Sequence, residues 1–413
     1  MSKNNGFFNY MKAVIFLADG MADEPLKELN SMTPLEYANT PNMDKIANKG
    51  TNGTFLSLPK GFPTSSDVAN MSVLGFDLEK CYPGRGPIEA ESQNIKLEED
   101  DIAWRCNLIH TENNILIDYS AGHIENDIST KIMQDLQKEF GSEKVTFYPG
   151  VSYRNIMVLH GSEFSKDVIC HKPDDSQGIP LDNLKYKPLG NTDESKYTAL
   201  FVEKLIRNTS VFLKNHPLNK NVKSSANSIW PHSPGNKPAL PKFSDLYNNK
   251  SGAIISAVDV IQGIGICSNM KVIKVPGATG FIDTNYAGKA NAAINALETY
   301  DFVYLHVEAI DECSHMGRLD LKLKAIEDFD TKIVGPVLKA FEQKKDITFA
   351  VLPDHPVPLN LRKHTRTPVP VAIMSSVVKP DTIKTYNEKN ALEGNLGLLK
   401  NNELINLLLD LNK

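Results

Sequence analysis

The chain contains several short runs that are mostly apolar, separated by longer stretches in which apolar positions recur with a helical period. The runs lie at 13–18, 253–258, 302–307, 347–352 and 369–374. Nearly continuous apolar runs of this length are typical of strands buried on both faces of a parallel sheet. The stretches 33–48, 285–300 and 319–343 indicate helices. We therefore predict an α/β fold with a doubly wound, mostly parallel sheet.

This alternation is interrupted over residues 89–244, where predicted helices and strands follow no regular order. Part of the segment, 171–191, is rich in proline, aspartate and glycine, which indicates a loop. We predict a core domain formed by residues 1–88 and 245–413, with residues 89–244 inserted as a smaller α+β domain. A chain of 413 residues is long enough for two such domains.

The composition, with 41% hydrophobic and 23% charged residues, is that of an ordinary globular protein. The formal net charge of −5 gives no reason to expect a nucleic-acid partner, which would select a basic surface. No apolar run approaches the ~18 residues of a membrane-spanning helix. Five scattered cysteines without CxxC spacing indicate free thiols, and residues 1–10 lack the apolar segment of a signal peptide. We expect a cytoplasmic enzyme without a membrane partner.

Aspartates and histidines follow three of the predicted strands, at the sheet edge where ligands bind in open α/β folds. Asp311 and His315 are four residues apart, so on a helix they share one face and can bind one ion. Asp354 and His355 can share an ion only if the chain turns there, as Pro356 indicates. Mixed carboxylate and imidazole ligation suits Mn²⁺, Zn²⁺, Co²⁺ or Mg²⁺. The candidate metal ligands are Asp19, Asp311, His315, Asp354, His355 and His364.

A Ser-Ser-Asp turn at Ser65, Ser66 and Asp67 precedes a predicted helix at 68–74. Local sequence favours a capping function for these residues, because short polar side chains satisfy the first N–H groups of a helix. The alternative makes Ser66 a nucleophile at a helix N-terminus, where backbone N–H groups favour anions. A serine hydroxyl needs a base or a metal to react at neutral pH, and the predicted metal ligands supply that activation.

Taken together, these motifs resemble the archaeal-type, cofactor-independent phosphoglycerate mutases, which do not require 2,3-bisphosphoglycerate and belong to the alkaline phosphatase superfamily. The resemblance covers nearly all of the chain from Met11. Its landmarks are 17–23 (LADGMAD), 66–70 (SDVAN), 84–87 (GRGP), 283–286 (DTNY), 306–308 (HVE), Asp311 with His315, Asp354-His355, and His364-Thr365 before 368–370 (PVP).

The resemblance implies an alkaline-phosphatase-like core that holds two divalent ions, with manganese as the expected metal and magnesium, zinc or cobalt as alternatives. It implies one ion bound by Asp311, His315 and His364. It implies a second ion bound by Asp19, Ser66, Asp354 and His355. Ser66 would accept the phosphate of 3-phosphoglycerate and return it to the 2-hydroxyl, giving 2-phosphoglycerate without added bisphosphoglycerate. This isomerase reaction belongs to glycolysis and gluconeogenesis.

The inserted domain is expected to bind the substrate and to close as a lid, because water must be excluded while phosphoserine exists. Arg85, His123 and Arg154 are the candidate substrate-binding residues, each with a surface charge or a core histidine as the alternative. Lys289, on the helix after Asp283, could reach the site, but the favoured interpretation is a solvated lysine.

Three features depart from the family pattern and leave other substrates open. Glu308 stands where many archaeal mutases carry lysine, and Ser65 replaces an expected glycine. The segments 229–235 and 277–280 resemble a bacterial branch whose members have been proposed to act as homoserine kinases. The alternative functions are therefore a phosphotransferase acting on a small alcohol, a phosphatase, and a non-catalytic protein in which metals only stabilise the fold.

Overall fold

A computed structural model describes residues 11–219 and 225–409, and the chain divides into two compact units. Among the described residues, unit 1 comprises 11–82 and 240–409, and unit 2 comprises 83–219 and 225–239. The substrate-binding and lid functions expected of the inserted segment stay predictions. Residues 1–10, on which the expectation of no signal peptide depends, lie outside the described residues.

Strands and helices alternate through unit 1, whereas most of unit 2 is built from longer strands and two long helices. The strands are β1 Lys12–Ala18, β2 Thr51–Phe55, β3 Ile102–Glu112, β4 Ile115–Asp118, β5 Val145–Val151, β6 Arg154–Leu159, β7 Val168–Ile169, β8 Lys187–Pro188, β9 Ser228–Asn236, β10 Gly252–Ile255, β11 Lys271–Ile273, β12 Phe302–Val307, β13 Ile347–Leu352, β14 Val369–Met374 and β15 Gly397–Leu399. The helices are α1 Pro34–Tyr37, α2 Pro41–Lys49, α3 Ser66–Val73, α4 Leu78–Cys81, α5 Arg85–Ser92, α6 Asn126–Phe140, α7 Asp193–Lys214, α8 Phe243–Leu246, α9 Asp259–Cys267, α10 Tyr286–Thr299, α11 Ala309–His315, α12 Leu319–Phe329, α13 Gly335–Ala340, α14 Glu388–Ala391 and α15 Glu403–Leu408. None of the helices in 11–219 and 225–409 is both long enough and apolar enough to cross a bilayer.

Within the described part of unit 1, eight strands form one sheet in the order β11-β10-β12-β1-β13-β14-β2-β15. All pairings are parallel except those that β14 makes with β13 and β2. The predicted α/β fold with a mostly parallel sheet is thus confirmed. Because β14 runs against both neighbours, β2 points the same way as β1, β12 and β13. The segments that follow these four strands therefore begin at the same edge of the sheet.

The predicted helix over 33–48 is wrong as a single element, because it is two helices. Thr33 forms a capping box with Glu36, as its position before Pro34 indicates. The first helix ends at Tyr37, and α2 starts at Pro41, whose ring has no N–H to donate to a preceding turn. The carboxylate of Asp330 accepts the backbone N–H groups of Asn42 and Met43 at 3.0 and 2.7 Å. A tertiary contact therefore caps the second helix.

The predicted helix over 319–343 is also interrupted. Helix α12 ends at Phe329 and is followed by a π-helical stretch at Asp330–Val334, after which α13 begins and ends at Ala340. Pro336 lies at the start of α13 and lacks the N–H that would continue the regular hydrogen-bond ladder. The widened turn keeps the Asp330 carboxylate buried against α2, so the break serves the packing between these two helices.

Unit 2 is built on an antiparallel sheet in which β3 is central. Strands β4, β6 and β9 pair with β3, and β5 pairs with β6, all antiparallel. Apolar residues from alternate positions of β3, including Trp104 and Cys106, form a core with residues of α6 and α7. The expected α+β character of the inserted segment is therefore observed.

Candidate metal centre

The polar residues that follow β1, β12 and β13 meet at one edge of the unit 1 sheet. The backbone N–H of Asp19, directly after β1, donates to the carbonyl of Val307, the last residue of β12, at 2.9 Å. The backbone N–H of Gly20 donates to the Asp354 carboxylate at 3.2 Å. Parallel pairing with neighbours on both sides is what brings these three chain segments together.

One group of donors surrounds the His355 imidazole. Its Nε2 lies 3.4 Å from Asp19 Oδ1, 3.3 Å from Asp354 Oδ2 and 3.3 Å from Ser66 Oγ. The two carboxylates and the imidazole are fully buried, and the exposed fraction of Ser66 is 7%. The turn that the sequence predicted after β13 does bring the neighbouring Asp354 and His355 to the same place. The residues that the family resemblance assigned to one ion are thus gathered in the structure.

The second predicted group is also assembled. His315 Nε2 and His364 Nε2 lie 2.9 Å apart, and the Asp311 carboxylate is 3.4 Å from the first and 3.6 Å from the second. His315 Nδ1 lies 2.9 Å from the carbonyl oxygen of Arg362, which can accept its proton and leave the Nε2 lone pair directed at the group. The predicted i, i+4 geometry of Asp311 and His315 on α11 is present.

These donors fit cations. Asp19 Oδ1, Asp311 Oδ1 and His355 Nδ1 are buried atoms without a hydrogen-bond partner within the described residues. Two imidazole nitrogens that face each other at hydrogen-bond distance beside a carboxylate also suit a shared positive charge. Oxygen and nitrogen donors of this kind bind divalent transition metals or magnesium.

The pKa values of Asp19 and Asp311, which belong to different groups, shift in opposite directions. Burial raises the pKa of Asp19 well above its ordinary value, and the nearby Asp354 and Glu308 raise it further. Burial also opposes ionisation of Asp311, but His315 and His364 outweigh it and lower the pKa of Asp311. Burial lowers the pKa of His315, yet the Asp311 carboxylate prevails and raises it to about 10. Bound cations would replace these protons, so metal binding and protonation compete.

The capping interpretation of the Ser-Ser-Asp turn is wrong. Helix α3 begins at Ser66, and Ser65 occupies the N-cap position without a side-chain capping bond. The Ser65 hydroxyl is buried and unpaired among the described residues, and the Asp67 carboxylate accepts from Tyr82 Oη at 2.5 Å. Ser66 therefore stands on the first turn of a helix with its hydroxyl among the metal donors. Its capping chemistry is not used.

The three predicted substrate-binding residues all lie in unit 2. Arg85 Nε pairs with the buried Glu89 at 2.7 Å. The Arg154 guanidinium lies 4.5 Å from the centre of the Tyr153 ring, and the His123 ring meets the same tyrosine edge-on at 6.0 Å. Arg154 and His123 thus lie beside the same tyrosine, and substrate binding by the three residues stays a prediction.

Sequence reasoning missed Arg105, which lies on β3 with 7% of its surface exposed. Its Nε is 3.4 Å from the Glu89 carboxylate. Burial opposes ionisation of Glu89, but Arg105, Arg85 and Arg154 together lower its pKa. Three guanidinium groups thus act on one buried carboxylate. A lone arginine within an apolar strand is the signal that could have identified this residue.

The interpretation of Lys289 as a solvated lysine is wrong. Its side chain is fully buried, and Nζ donates to the carbonyl of His306 at 3.1 Å. Burial lowers the pKa of Lys289 to about 8, and Glu308 opposes this change. For Glu308, burial and the Asp311 carboxylate raise the pKa to about 8. The helical period could have indicated this burial, because Lys289 shares one face of α10 with the buried Tyr286, Ala290 and Ala293.

Comparison with known proteins shows relatives that match almost the whole chain. Residues 47–219 match the family model described as 2,3-bisphosphoglycerate-independent phosphoglycerate mutase. A protein of Methanosarcina acetivorans with that name is 47% identical, covering 96% of this chain and 99% of the relative. A "Probable 2,3-bisphosphoglycerate-independent phosphoglycerate mutase" of Geobacter sulfurreducens is 41% identical over 97% of this chain and 100% of the relative.

Two solved structures share the fold over almost the whole length. A Pyrococcus horikoshii protein is 28% identical with a TM-score of 0.80, covering 97% of each chain. The cofactor-independent phosphoglycerate mutase of Thermoplasma acidophilum is 26% identical with a TM-score of 0.63, covering 98% of this chain and 100% of the other. Together with the nearly full-length relatives, these matches place the chain in the 2,3-bisphosphoglycerate-independent phosphoglycerate mutase family.

Proposed function

We propose that this protein interconverts 3-phosphoglycerate and 2-phosphoglycerate through a phosphoserine formed on Ser66, with two divalent metal ions. Membership of the mutase family supports the reaction. The single observation that supports the mechanism is the position of the Ser66 hydroxyl, 3.3 Å from His355 Nε2 within a buried set of metal donors. The relatives are named as mutases and do not favour the phosphotransferase alternative.

In this proposal Asp311, His315 and His364 hold one ion, and Asp19, Ser66, Asp354 and His355 hold the other. Manganese is the expected metal, and magnesium, zinc and cobalt suit the same donors. The ions, when bound, would lower the pKa of the serine hydroxyl and neutralise charge on the phosphoryl oxygens.

Ser66 is the group that carries phosphate. In the first transfer, the bond from phosphorus to the 3-oxygen of glycerate breaks as the bond to Ser66 Oγ forms. The serine proton ends on the released 3-hydroxyl. In the second transfer, the bond from phosphorus to Ser66 Oγ breaks as the 2-hydroxyl oxygen bonds to phosphorus, and the proton of that hydroxyl ends on Ser66 Oγ. The N-terminal turn of α3 presents its N–H groups to the phosphoserine oxygens, which favours the negative charge there.

The glycerate must be held while its phosphate is on Ser66, because escape or hydrolysis would make the enzyme a phosphatase. Arg85, Arg105 and Arg154 are proposed to bind anionic groups of the substrate, and His123 is proposed to contact it as well. Guanidinium groups suit this task because each offers a planar pair of donors to a carboxylate or phosphate. A cytoplasmic location, as for other glycolytic enzymes, is part of the same proposal.

The test uses metal-free protein reloaded with Mn²⁺ and given 3-phosphoglycerate, with 2-phosphoglycerate consumption coupled to enolase. We expect turnover by the native chain and none by Ser66→Ala. Intact mass after brief mixing should show one added phosphoryl group on the native chain. Ser65→Ala, which removes the neighbouring hydroxyl, should still become phosphorylated.

Two outcomes would contradict the proposal. If no metal supports production of 2-phosphoglycerate, the mutase reaction is wrong. If Ser66→Ala retains the native rate, the phosphoserine is wrong even though the reaction stands. Phosphorylation of homoserine with ATP, or steady release of inorganic phosphate from phosphoglycerate, would identify the phosphotransferase or the phosphatase instead.

A further inference from the structure

Strand β12 presents two polar side chains on one face. Val303, Leu305 and Val307 belong to the main hydrophobic cluster of unit 1, so the intervening Tyr304 and His306 point to the opposite face. Both are completely buried. A fully buried tyrosine and histidine in a central parallel strand require hydrogen-bond partners, because unpaired polar groups are costly there.

His306 reaches Asp19. Its Nε2 lies 2.9 Å from Asp19 Oδ2, and its Nδ1 lies 3.1 Å from Ser256 Oγ. Ser256 Oγ already accepts the backbone N–H of Val258 at 3.0 Å, so its own proton is available for Nδ1. Nε2 then carries the ring proton and donates it to Asp19. This chain of bonds occupies Oδ2 and leaves Oδ1 directed towards His355, 3.4 Å away.

Tyr304 reaches Asp354 through Asn70. The Asn70 amide nitrogen donates to Asp354 Oδ2 and to the Ser66 carbonyl, both at 2.8 Å. Both partners are acceptors only, so the amide oxygen must face Tyr304, whose hydroxyl donates to it at 2.5 Å. The tyrosine hydroxyl thereby satisfies the buried amide oxygen and supports this orientation of the amide. The same amide joins a proposed metal ligand to the first residue of the nucleophile helix.

We infer that β12 supplies an outer layer of hydrogen bonds through Tyr304 and His306, and that this layer orients Asp19, Asp354 and the Ser66 turn for metal binding. The inference rests on the proposed metal centre. Neither residue binds the ion or the substrate in this account; both are positioning residues. Outer partners of this kind hold ligands in place and typically change metal affinity by about 10- to 100-fold when they are removed.

The experiment titrates Mn²⁺ into metal-free protein and counts free ion by electron paramagnetic resonance. We expect the native chain to bind two Mn²⁺ ions, and His306→Leu to bind one of them about 10- to 100-fold more weakly. His306→Gln, which can place an amide donor near Asp19, should recover most of it. Tyr304→Phe should weaken the same ion by a smaller factor. Tyr386→Phe is the matched control, because it removes another buried hydroxyl of unit 1, bonded to the Pro370 carbonyl at 2.8 Å.

The possible outcomes distinguish a failure of the proposed metal centre from a failure of the outer layer of hydrogen bonds. If the native chain binds no manganese, the proposed metal centre fails. If the native chain binds two ions and His306→Leu and Tyr304→Phe bind them equally well, the outer layer is wrong. If His306→Leu loses an ion outright and His306→Gln does not recover it, His306 is itself a ligand. Should His306→Leu fail to fold, Ser256→Ala removes the donor to Nδ1, together with the acceptor of the Val258 N–H, and should weaken the binding of the same ion. An unchanged affinity in that variant would overturn the inference.

Discussion

The buried ion pair between Lys322 and Asp23 provides a sharp test of how unit 1 is held together. Lys322 Nζ lies 2.7 Å from Asp23 Oδ2, and both side chains are fully buried. Lys322 also donates to the Val357 carbonyl at 3.1 Å. Asp23 accepts the backbone N–H groups of Glu24 at 2.7 Å and Leu359 at 3.2 Å. The pair therefore connects α12 to the loops that follow β1 and β13, which carry proposed metal ligands.

The perturbation is Lys322→Met, which keeps the apolar stem and removes the charge. Breaking a buried pair by removing one partner costs about 3–5 kcal/mol, because the other charge stays buried. The two backbone N–H groups still bound to Asp23 offset part of this, so we expect about 3 kcal/mol. Lys45→Met is the control. It breaks a 3.1 Å pair with Glu342 whose side chains are 35% and 56% exposed, and it should cost less than about 1 kcal/mol.

The assay is native-state hydrogen exchange of the metal-free protein, followed by mass spectrometry of peptides from β1 and β13. Peptides from β3 show whether the effect is confined to unit 1. Adding Asp23→Asn to Lys322→Met should cost less than the two single changes together, because the uncompensated charge is gone. A loss below about 1 kcal/mol for Lys322→Met, or additive losses in the double variant, would refute the reasoning.

Three further predictions follow from single residues. Gly20 has φ +64° and a Cβ there would lie 2.7 Å from the Asp311 Cα, whereas Gly397 has φ +62° with nothing within 4 Å. Gly397→Ala should cost about 1–2 kcal/mol of stability from strain alone, and Gly20→Ala should cost more and also weaken Mn²⁺ binding; equal losses would contradict this. Lys289 has an ordinary pKa of 10.5 and a folded pKa of about 8, so between these values the unfolded chain holds a proton that the folded chain lacks. The native chain should therefore gain about 3 kcal/mol of unfolding free energy, relative to Lys289→Met, as the pH rises between these two pKa values. If denaturation curves show the same difference in unfolding free energy at every pH, the prediction is wrong. Arg105→Met should raise the KM for phosphoglycerate at least about tenfold if its charge meets a substrate anion, whereas Arg207→Met, at an exposed pair 3.9 Å from Glu203, should leave it unchanged. Similar KM values for both variants would argue against Arg105.

The sequence alone predicted the strands that matter and the residues at their ends. Mostly apolar runs such as 302–307 and 347–352 are stable only when buried, and β12 and β13 have the predicted bounds. The carboxyl ends of parallel strands meet at one edge of the sheet, so the sequence predicts that Asp19 and Asp354 lie close together. The spacing of Asp311 and His315 fixed their shared helix face in the same way.

Tertiary structure decided the rest, because it depends on contacts between residues far apart in the chain. Pro41 and Pro336 interrupt helices whose apolar period continues past them, and the carboxylate of Asp330 caps one of the new ends. Asp19 is bonded to His306 on β12, and Asp354 is bonded to Asn70 on α3. In each pair the two residues are more than two hundred positions apart in the chain. Local pattern encodes which face of an element is apolar, but only the packed fold determines which polar groups meet.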